Sequence, residues 1–285
     1  MAVRKDTIFE RFLAPIFQNF LIDRDATDRF YRSIDWEKTC DRLKNPNLIY
    51  PKYYQSQNFH GIEGGYLTIG AAVSYDPVTQ YVLPPNETWV RQGVIDAINS
   101  HPRRILDLGC GTGSTTLLLK QAFPEAEVIG LDLSPYMLAA AEAKAKTAGL
   151  EIQFVHGNAE NTGFKDGDVD LVTASLLFHE TPPTITQIIL QEAFRLLPTG
   201  GEMIIFDGNQ KILRQVEWLT QIFEEPFIQD YAAESLDAML GAAGFASIRT
   251  EDWWGVHQIS RGVKPHSNYQ ADHSQSAIDN QWQMA

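Results

Sequence analysis

Cysteine is nearly missing from this chain: Cys40 and Cys110 are the only two in 285 residues. Two sulfurs build neither a disulfide framework nor a thiolate zinc cluster, so reducing cytoplasm is the expected compartment. Long apolar runs are missing too. No stretch approaches the roughly 18 to 20 residues that cross a bilayer. The opening MAVRKDTIFERF is charged where a signal peptide would be apolar, so neither secretion nor a membrane span is expected. Positive charge is scarce, with 23 Lys plus Arg against 36 Asp plus Glu, a formal charge of −13. Proteins engage phosphate backbones through Lys and Arg stripes, so a nucleic-acid partner is not expected either. What the chain does have is core-forming material: 44% hydrophobic residues, with 6 Trp, 10 Tyr and 15 Phe. That excludes global disorder and suits one large domain, or one domain with an appended subdomain.

The acidity is regional. Residues 1–95 carry 11 basic and 11 acidic residues, whereas residues 96–265 carry 12 and 23. The expected division is a helical and loop lid over 1–95, a main domain over 96–265 and a polar, mobile tail over 266–285. The lid opens with an apolar stripe from Ile8 to Leu21 at helical spacing, interrupted by Pro15. From Pro51 to Pro85 the composition turns to Tyr and Gly, read as loops and short turns covering a site.

From Arg103 onward, apolar strand-like runs alternate with helical patterns. RILDLG, EVIGLDL, IQFVHG, DLVTASLLF and GEMIIFDG read as strands. Between two of them, Ser134 is an N-cap, Pro135 the first helical residue and Gly149 the stop. AAESLDAMLGAAGF reads as one further helix, and ASIRTEDWW with GVHQISRGVKP as a terminal hairpin. Strands separated by helices of this length require parallel pairing with right-handed crossovers. The expected fold is α/β, a doubly wound Rossmann-like seven-stranded sheet ending in an antiparallel hairpin, beneath a mainly helical N-terminal lid.

The chemistry is concentrated in Asp107, Leu108, Gly109, Cys110, Gly111, Thr112, Gly113 and Ser114. A strand enters a glycine loop and a helix leaves it, so backbone can approach a ligand closely at the helix start. The dinucleotide fingerprint G-x-G-x-x-G would need glycine where Ser114 stands. The pattern here is G-x-G-x-G preceded by an acid. DLGCGTGS followed by GLDLS resembles the first two motifs of class I S-adenosylmethionine-dependent methyltransferases. The resemblance runs over about residues 88–265, through GNAE at 157–160, ASLLFHE at 174–180 and LLPTGGEMIIFD at 196–207.

That resemblance implies S-adenosylmethionine as methyl donor, S-adenosylhomocysteine as product, and no metal. It implies that Asp107 meets the methionyl amine, directly or through water, while Gly109 and Gly111 make room for the amino-acid portion. Asp132 would accept from the ribose hydroxyls, at close to the spacing from the glycine loop at which a carboxylate serves that role. Leu133 would pack on adenine, the Asn158 amide oxygen would accept from its amino group, and the Ala159 N–H would bond a ring nitrogen. Ser175 would face the methionine portion.

Methyl transfer needs an added base only where the acceptor must lose a proton. His179, after the fourth strand, is the leading candidate for base or for shaping the site, and His60 and Asp207 are further candidates. Glu180 is expected to face solvent or charge the start of the next helix, with acceptor contact as the lesser reading. Tyr53, Tyr54, Tyr66 and Tyr75, together with Phe178 and His179, would line an acceptor pocket whose aromatic walls also tolerate a sulfonium. Cys110 is expected to be small loop filling, since no base or cation activates it. Trp253 and Trp254, between the last two strands, fit core packing or a homo-oligomer contact. The implied partner is a small-molecule methyl acceptor, aromatic or natural-product-like, taking the group on O, N or C. Two rival readings remain open: a NAD-dependent oxidoreductase on the same fold, against which Ser114 stands, and a non-catalytic module that binds S-adenosylmethionine and regulates a partner.

Overall fold

The computed structural model describes residues 23–55, 57, 59, 64–83, 85–216 and 226–266. The stripe from Ile8 to Leu21, His60, and the tail beyond residue 266 lie outside them. The chain runs α1 (Arg24–Arg32), α2 (Trp36–Leu43), α3 (Lys52–Gln55), α4 (Ile69–Val82) and α5 (Glu87–Asp96) before the first strand. It continues β1 (Arg104–Leu108), α6 (Ser114–Ala122), β2 (Glu127–Asp132), α7 (Pro135–Ala148), β3 (Gln153–His156) and β4 (Leu171–Ser175). After a 3-10 turn at Phe178–Glu180 come α8 (Pro183–Leu196), β5 (Glu202–Gly208), α9 (Gln210–Leu213), α10 (Ile228–Ala233), α11 (Leu236–Ala243), β6 (Ala246–Trp253) and β7 (His257–Val263).

The strands form one seven-stranded sheet in the order β3-β2-β1-β4-β5-β7-β6. The first five are parallel and β7 runs antiparallel to both β5 and β6, so the expected terminal hairpin is present. Sequence order reverses direction between β1 and β4, and open α/β sheets bind ligands outside the carboxyl ends of the strands at that point. Alternation along β1 serves both faces. Leu106 and Leu108 join the core under α8 and α11, while Ile105 joins the core under α5 and α6. The capping signals act locally as read: Ser134 Oγ accepts from the Met137 N–H at 3.2 Å, and Gly149 ends α7 at φ 67°.

Two elements differ from the sequence reading. Residues 69–82, expected as loop, form α4, with Thr68 as N-cap and Pro77 inside the helix. Neither propensity nor periodicity announces this helix. Packing supplies the stability: Ala71, Ala72 and Val73 are buried with Met137, Ala139 and Ala140 of α7, in a third cluster that also holds Trp36 and Phe59. The helix expected over AAESLDAMLGAAGF is divided, because Glu234 is extended and Ser235 starts α11 as a fresh N-cap. Trp253 packs across Gly93 of α5 and donates from Nε1 to the Val90 carbonyl at 2.7 Å, so it is a core contact, whereas Trp254 is 48% exposed.

Candidate functional site

At the carboxyl edge of the sheet, a cleft of about 700 Å³, partly open to solvent, lies between the glycine loop and the tyrosines of the N-terminal segment. It is lined by Gly109, Gly111, Asp132 and Leu133 from the strand ends and by Tyr53, Tyr54, Tyr66 and Tyr75 from the N-terminal segment, the tyrosine wall. Asn158 and Ala159 close one end, and Ser175, Leu176 and Leu177 pass beside the glycine loop.

The loop owes its course to positive φ angles that glycine tolerates: 63° at Gly109 and 53° at Gly111. A Cβ on Gly109 would come within 2.8 Å of Leu177 Cδ1, whereas a Cβ on Gly111 would meet nothing within 4 Å. The space over Gly111 is therefore open to a ligand. Leu176 is itself held at φ 58°, a strained position for a branched side chain, and it sits at the cleft.

Both acids of the motif are buried. Asp132 accepts from the N–H of Gly111 and of Ser134, each at 2.8 Å, which ties the end of β2 to the glycine loop. Burial pushes its carboxyl up to about 6, although both N–H bonds favour the charged form. Asp107 lies below the loop, its oxygens taken by the hydroxyls of Thr116 at 2.6 Å and Thr173 at 2.7 Å. Burial raises its pKa, and the two hydroxyls and the more distant Arg91 oppose the rise. The Asn158 amide is turned into its own loop, with Oδ1 accepting from the Glu160 N–H at 2.9 Å and Nδ2 donating to Glu160 Oε1 at 3.2 Å.

The segment after β4 distributes its residues differently from the sequence expectation. Phe178, expected at the acceptor, is fully buried in the core beneath α8, because the 3-10 turn points it inward. Asp207 is likewise fully buried and does not line the cleft. Its oxygens hold the Phe178 N–H at 2.8 Å, the Gly208 N–H at 2.7 Å and His179 Nδ1 at 2.5 Å. That fixes the imidazole with Nε2 3.9 Å from Glu180 Oε1. His179 stands behind the wall, and Glu180 and Thr181 line the cleft. Glu180 is far from solvent-facing, at 14% side-chain exposure, and accepts from the Tyr66 hydroxyl at 2.5 Å. Tyr66 also accepts at its carbonyl from Ser134 Oγ, so one residue of the N-terminal segment joins the start of α7 to the turn after β4.

The Tyr53 hydroxyl donates to Glu160 Oε1 at 3.3 Å, and burial with that carboxylate beside it raises the Tyr53 pKa. Of the sequence candidates, the cleft gathers Gly109, Gly111, Asp132, Leu133, Asn158, Ala159, Ser175, Tyr53, Tyr54, Tyr66 and Tyr75. Sequence reasoning underrated Glu180, whose only signal was its position next to His179. It missed Met137, Thr181 and Ile189, whose cleft contacts depend on tertiary packing.

Comparison with known proteins bears on the family and the fold. A methyltransferase domain family model matches residues 105–201. The chain is 33% identical over 207 residues to a demethylmenaquinone methyltransferase of Thermus thermophilus, covering 62% of this chain and 90% of that protein. It is 29% identical over 242 residues to a demethylmenaquinone methyltransferase of Lactococcus lactis, covering 74% and 90%. Among solved structures, PigF with SAH superposes with a TM-score of 0.56 at 19% identity, over 88% of this chain and 73% of that one. A putative O-methyltransferase of Nostoc punctiforme gives a TM-score of 0.54 at 18% identity, over 69% and 59%. The glycine loop, the acid ending β2, the sheet order and the relatives agree: the chain belongs to the class I S-adenosylmethionine-dependent methyltransferases.

Proposed function

We propose that this methyltransferase acts on a small aromatic acceptor of the demethylmenaquinone kind, seated between the tyrosine wall and Glu180. The observation that carries the reading is the cleft itself, in which four tyrosines line the same space as the glycine loop and Asp132. Aromatic walls suit a planar ring and tolerate a neighbouring sulfonium. The two relatives named above are demethylmenaquinone methyltransferases, which supports the acceptor class.

S-adenosylmethionine supplies an activated methyl group on positively charged sulfur. The chain's task is chiefly to align, and positioning of this kind can contribute about 7–11 kcal/mol to a displacement. Asp132 is assigned to the ribose hydroxyls, Leu133, Asn158 and Ala159 to the adenine, and Asp107, Gly109, Gly111 and Ser175 to the methionine portion. Asn158 Oδ1 already accepts one N–H, so an adenine contact would use its second lone pair. Where the acceptor must lose a proton, Glu180 is the carboxylate on the cleft wall that can take it. His179, held by Asp207 and close to Glu180, is the positioning and proton-sharing group behind it.

The test is transfer of radiolabelled methyl from S-adenosylmethionine to reduced demethylmenaquinone, beside a panel of phenols and aliphatic amines, by the full chain and by His179→Ala. Labelled quinol product is expected, with transfer lost and cofactor affinity retained in the variant. Methylation confined to aliphatic amines would overturn the acceptor class, and full turnover by His179→Ala would remove His179 from the mechanism.

A further inference from the structure

Beside the main cleft, and sharing Gly109, Gly111, Ser175 and Tyr75 with it, lies a smaller space of about 270 Å³, partly open to solvent, against the glycine loop. Its lining includes Asp107, Thr112 and Thr115, and also Arg91, which α5 inserts from outside the strand-and-helix repeat. Arg91 is 4% exposed. Its Nε donates to Glu87 Oε1 at 2.8 Å and its Nη1 to Thr115 Oγ1 at 3.0 Å, and Thr115 in turn donates to Ser175 Oγ at 3.0 Å. A guanidinium has five N–H donors. Those two bonds leave the remaining donors, including both on Nη2, without a partner among the described residues.

A buried cation wedged against a ligand loop needs a reason, because taking a guanidinium out of water costs several kcal/mol that one ion pair seldom offsets in full. Glu87 neutralises part of the charge and fixes the head group, but it comes from the same helix one turn earlier and has no need of a cavity. The cavity offers a buried carboxylate at Asp107, hydroxyls at Thr112, Thr115 and Ser175, and unused N–H donors at Arg91. An α-amino acid head group, with an ammonium and a carboxylate on one carbon, matches that set. Arginine is suited to the carboxylate because its planar fork can donate two parallel hydrogen bonds.

We propose that Arg91 binds the carboxylate of the methionine portion of S-adenosylmethionine and that, through Thr115, it orients Ser175 toward the same group. Arg91 lies ahead of residues 105–201, the span matched by the methyltransferase family model, so the match assigns it no role. The inference rests on the cofactor seat described above and is independent of the acceptor. It also extends the cofactor site to α5, the helix ahead of β1.

The test is calorimetric binding of S-adenosylmethionine and of its decarboxylated analogue to the full chain without acceptor. The wild type is expected to prefer the carboxylated ligand by at least tenfold. In Arg91→Met that preference collapses to within about twofold, with S-adenosylmethionine weakened and the analogue nearly unchanged. If Arg91→Met fails to fold because Glu87 is left buried and unpaired, the double variant Glu87→Gln/Arg91→Met removes both charges and is read by the same ratio. Retained preference in the folded variant, or equal weakening of both ligands, overturns the proposal. No preference in the wild type overturns it as well. Absence of any cofactor binding by the wild type would sink the assignment of the cofactor seat itself, a separately visible outcome.

Discussion

At the scale of single residues, the site depends on charges kept out of water. Asp132 illustrates what that does to pH dependence. Its carboxyl is pushed up to about 6, chiefly by burial, with Glu180 and Asp107 adding like-charge repulsion. The folded chain therefore binds this proton more tightly than the unfolded chain does. Stability contributed by the protonated form is lost as pH rises from the ordinary carboxylate range toward 6. Ligand binding has the opposite sense, since a carboxylate accepting from ribose hydroxyls must be ionised. Affinity for S-adenosylmethionine is expected to fall as pH drops through about 6. Asp132→Asn should abolish that step, although its single amide oxygen can accept from only one of the Gly111 and Ser134 N–H groups, which bond to different oxygens of Asp132. Asp132→Ala should weaken binding ten- to a hundredfold at pH 7.5, the equivalent of one charge-assisted hydrogen bond at about 1.5–3 kcal/mol. Calorimetry at pH 5.5 and 7.5 decides it. Unchanged affinity in the Ala variant would refute the ribose role.

At the scale of elements, β7 carries an imidazole that the site does not use. His257 is 7% exposed, lies 5.1 Å from the Phe206 ring, and has no hydrogen-bond partner for either ring nitrogen among the described residues. Burial lowers its pKa to about 4, with His179 and Arg91 adding to the fall and Asp207 opposing it. Between that value and the ordinary 6.5, only the unfolded chain takes the proton, so stability is lost as pH falls through this window. His257→Phe should remove the loss and relieve an unsatisfied group, which costs about 1–3 kcal/mol. A Tm higher by a few degrees at pH 7.5, and by more at pH 5, is the expected melt; an unchanged difference between the two pH values would contradict the account.

The elements also show where sequence is informative. The helix from Pro135 to Ala148 could be read from its cap, its first-turn proline and its terminal glycine, because each acts within one turn of its own position. The glycine loop and Asp132 were legible for the same reason: a strand, a loop and a helix start are contiguous. The α4 helix was not, since its Pro77 and Tyr-rich composition argue for loop and only contact with α7 stabilises it. Glu180 and Arg91 share that limit. A carboxylate after a strand and an arginine on a helix are usually solvated, and their burial here is decided by Tyr66 and by Thr115, each distant in sequence.

At the scale of the whole molecule, α5 packs into the same core cluster as the sheet, together with Leu83 just ahead of it. Val90 and Val94 are fully buried with Ile105, Leu119, Ile204 and Phe206, and Trp253 from the terminal hairpin seats on Gly93 and Val90. Helices α2 and α4 instead pack on α7, while Tyr53 and Tyr54 of α3 and Tyr75 of α4 line the cleft. A chain starting at residue 85 keeps α5 and should fold, having lost the tyrosine wall. One starting at residue 97 loses both valines, at about 1.5–3 kcal/mol each, together with the Trp253 contact and Arg91. Against a typical total stability of about 5–15 kcal/mol, that loss is enough to unfold much of the population. Circular dichroism melts should therefore show a cooperative transition for the longer truncation product and a weak or missing one for the shorter. In calorimetry, the longer product should still bind S-adenosylmethionine more tightly than its decarboxylated analogue, because Arg91 remains, while methyl transfer to the quinol acceptor is lost with Tyr53, Tyr66 and Tyr75. A stable, cooperative fold for the chain starting at residue 97 would show that α5 belongs to the covering segment after all.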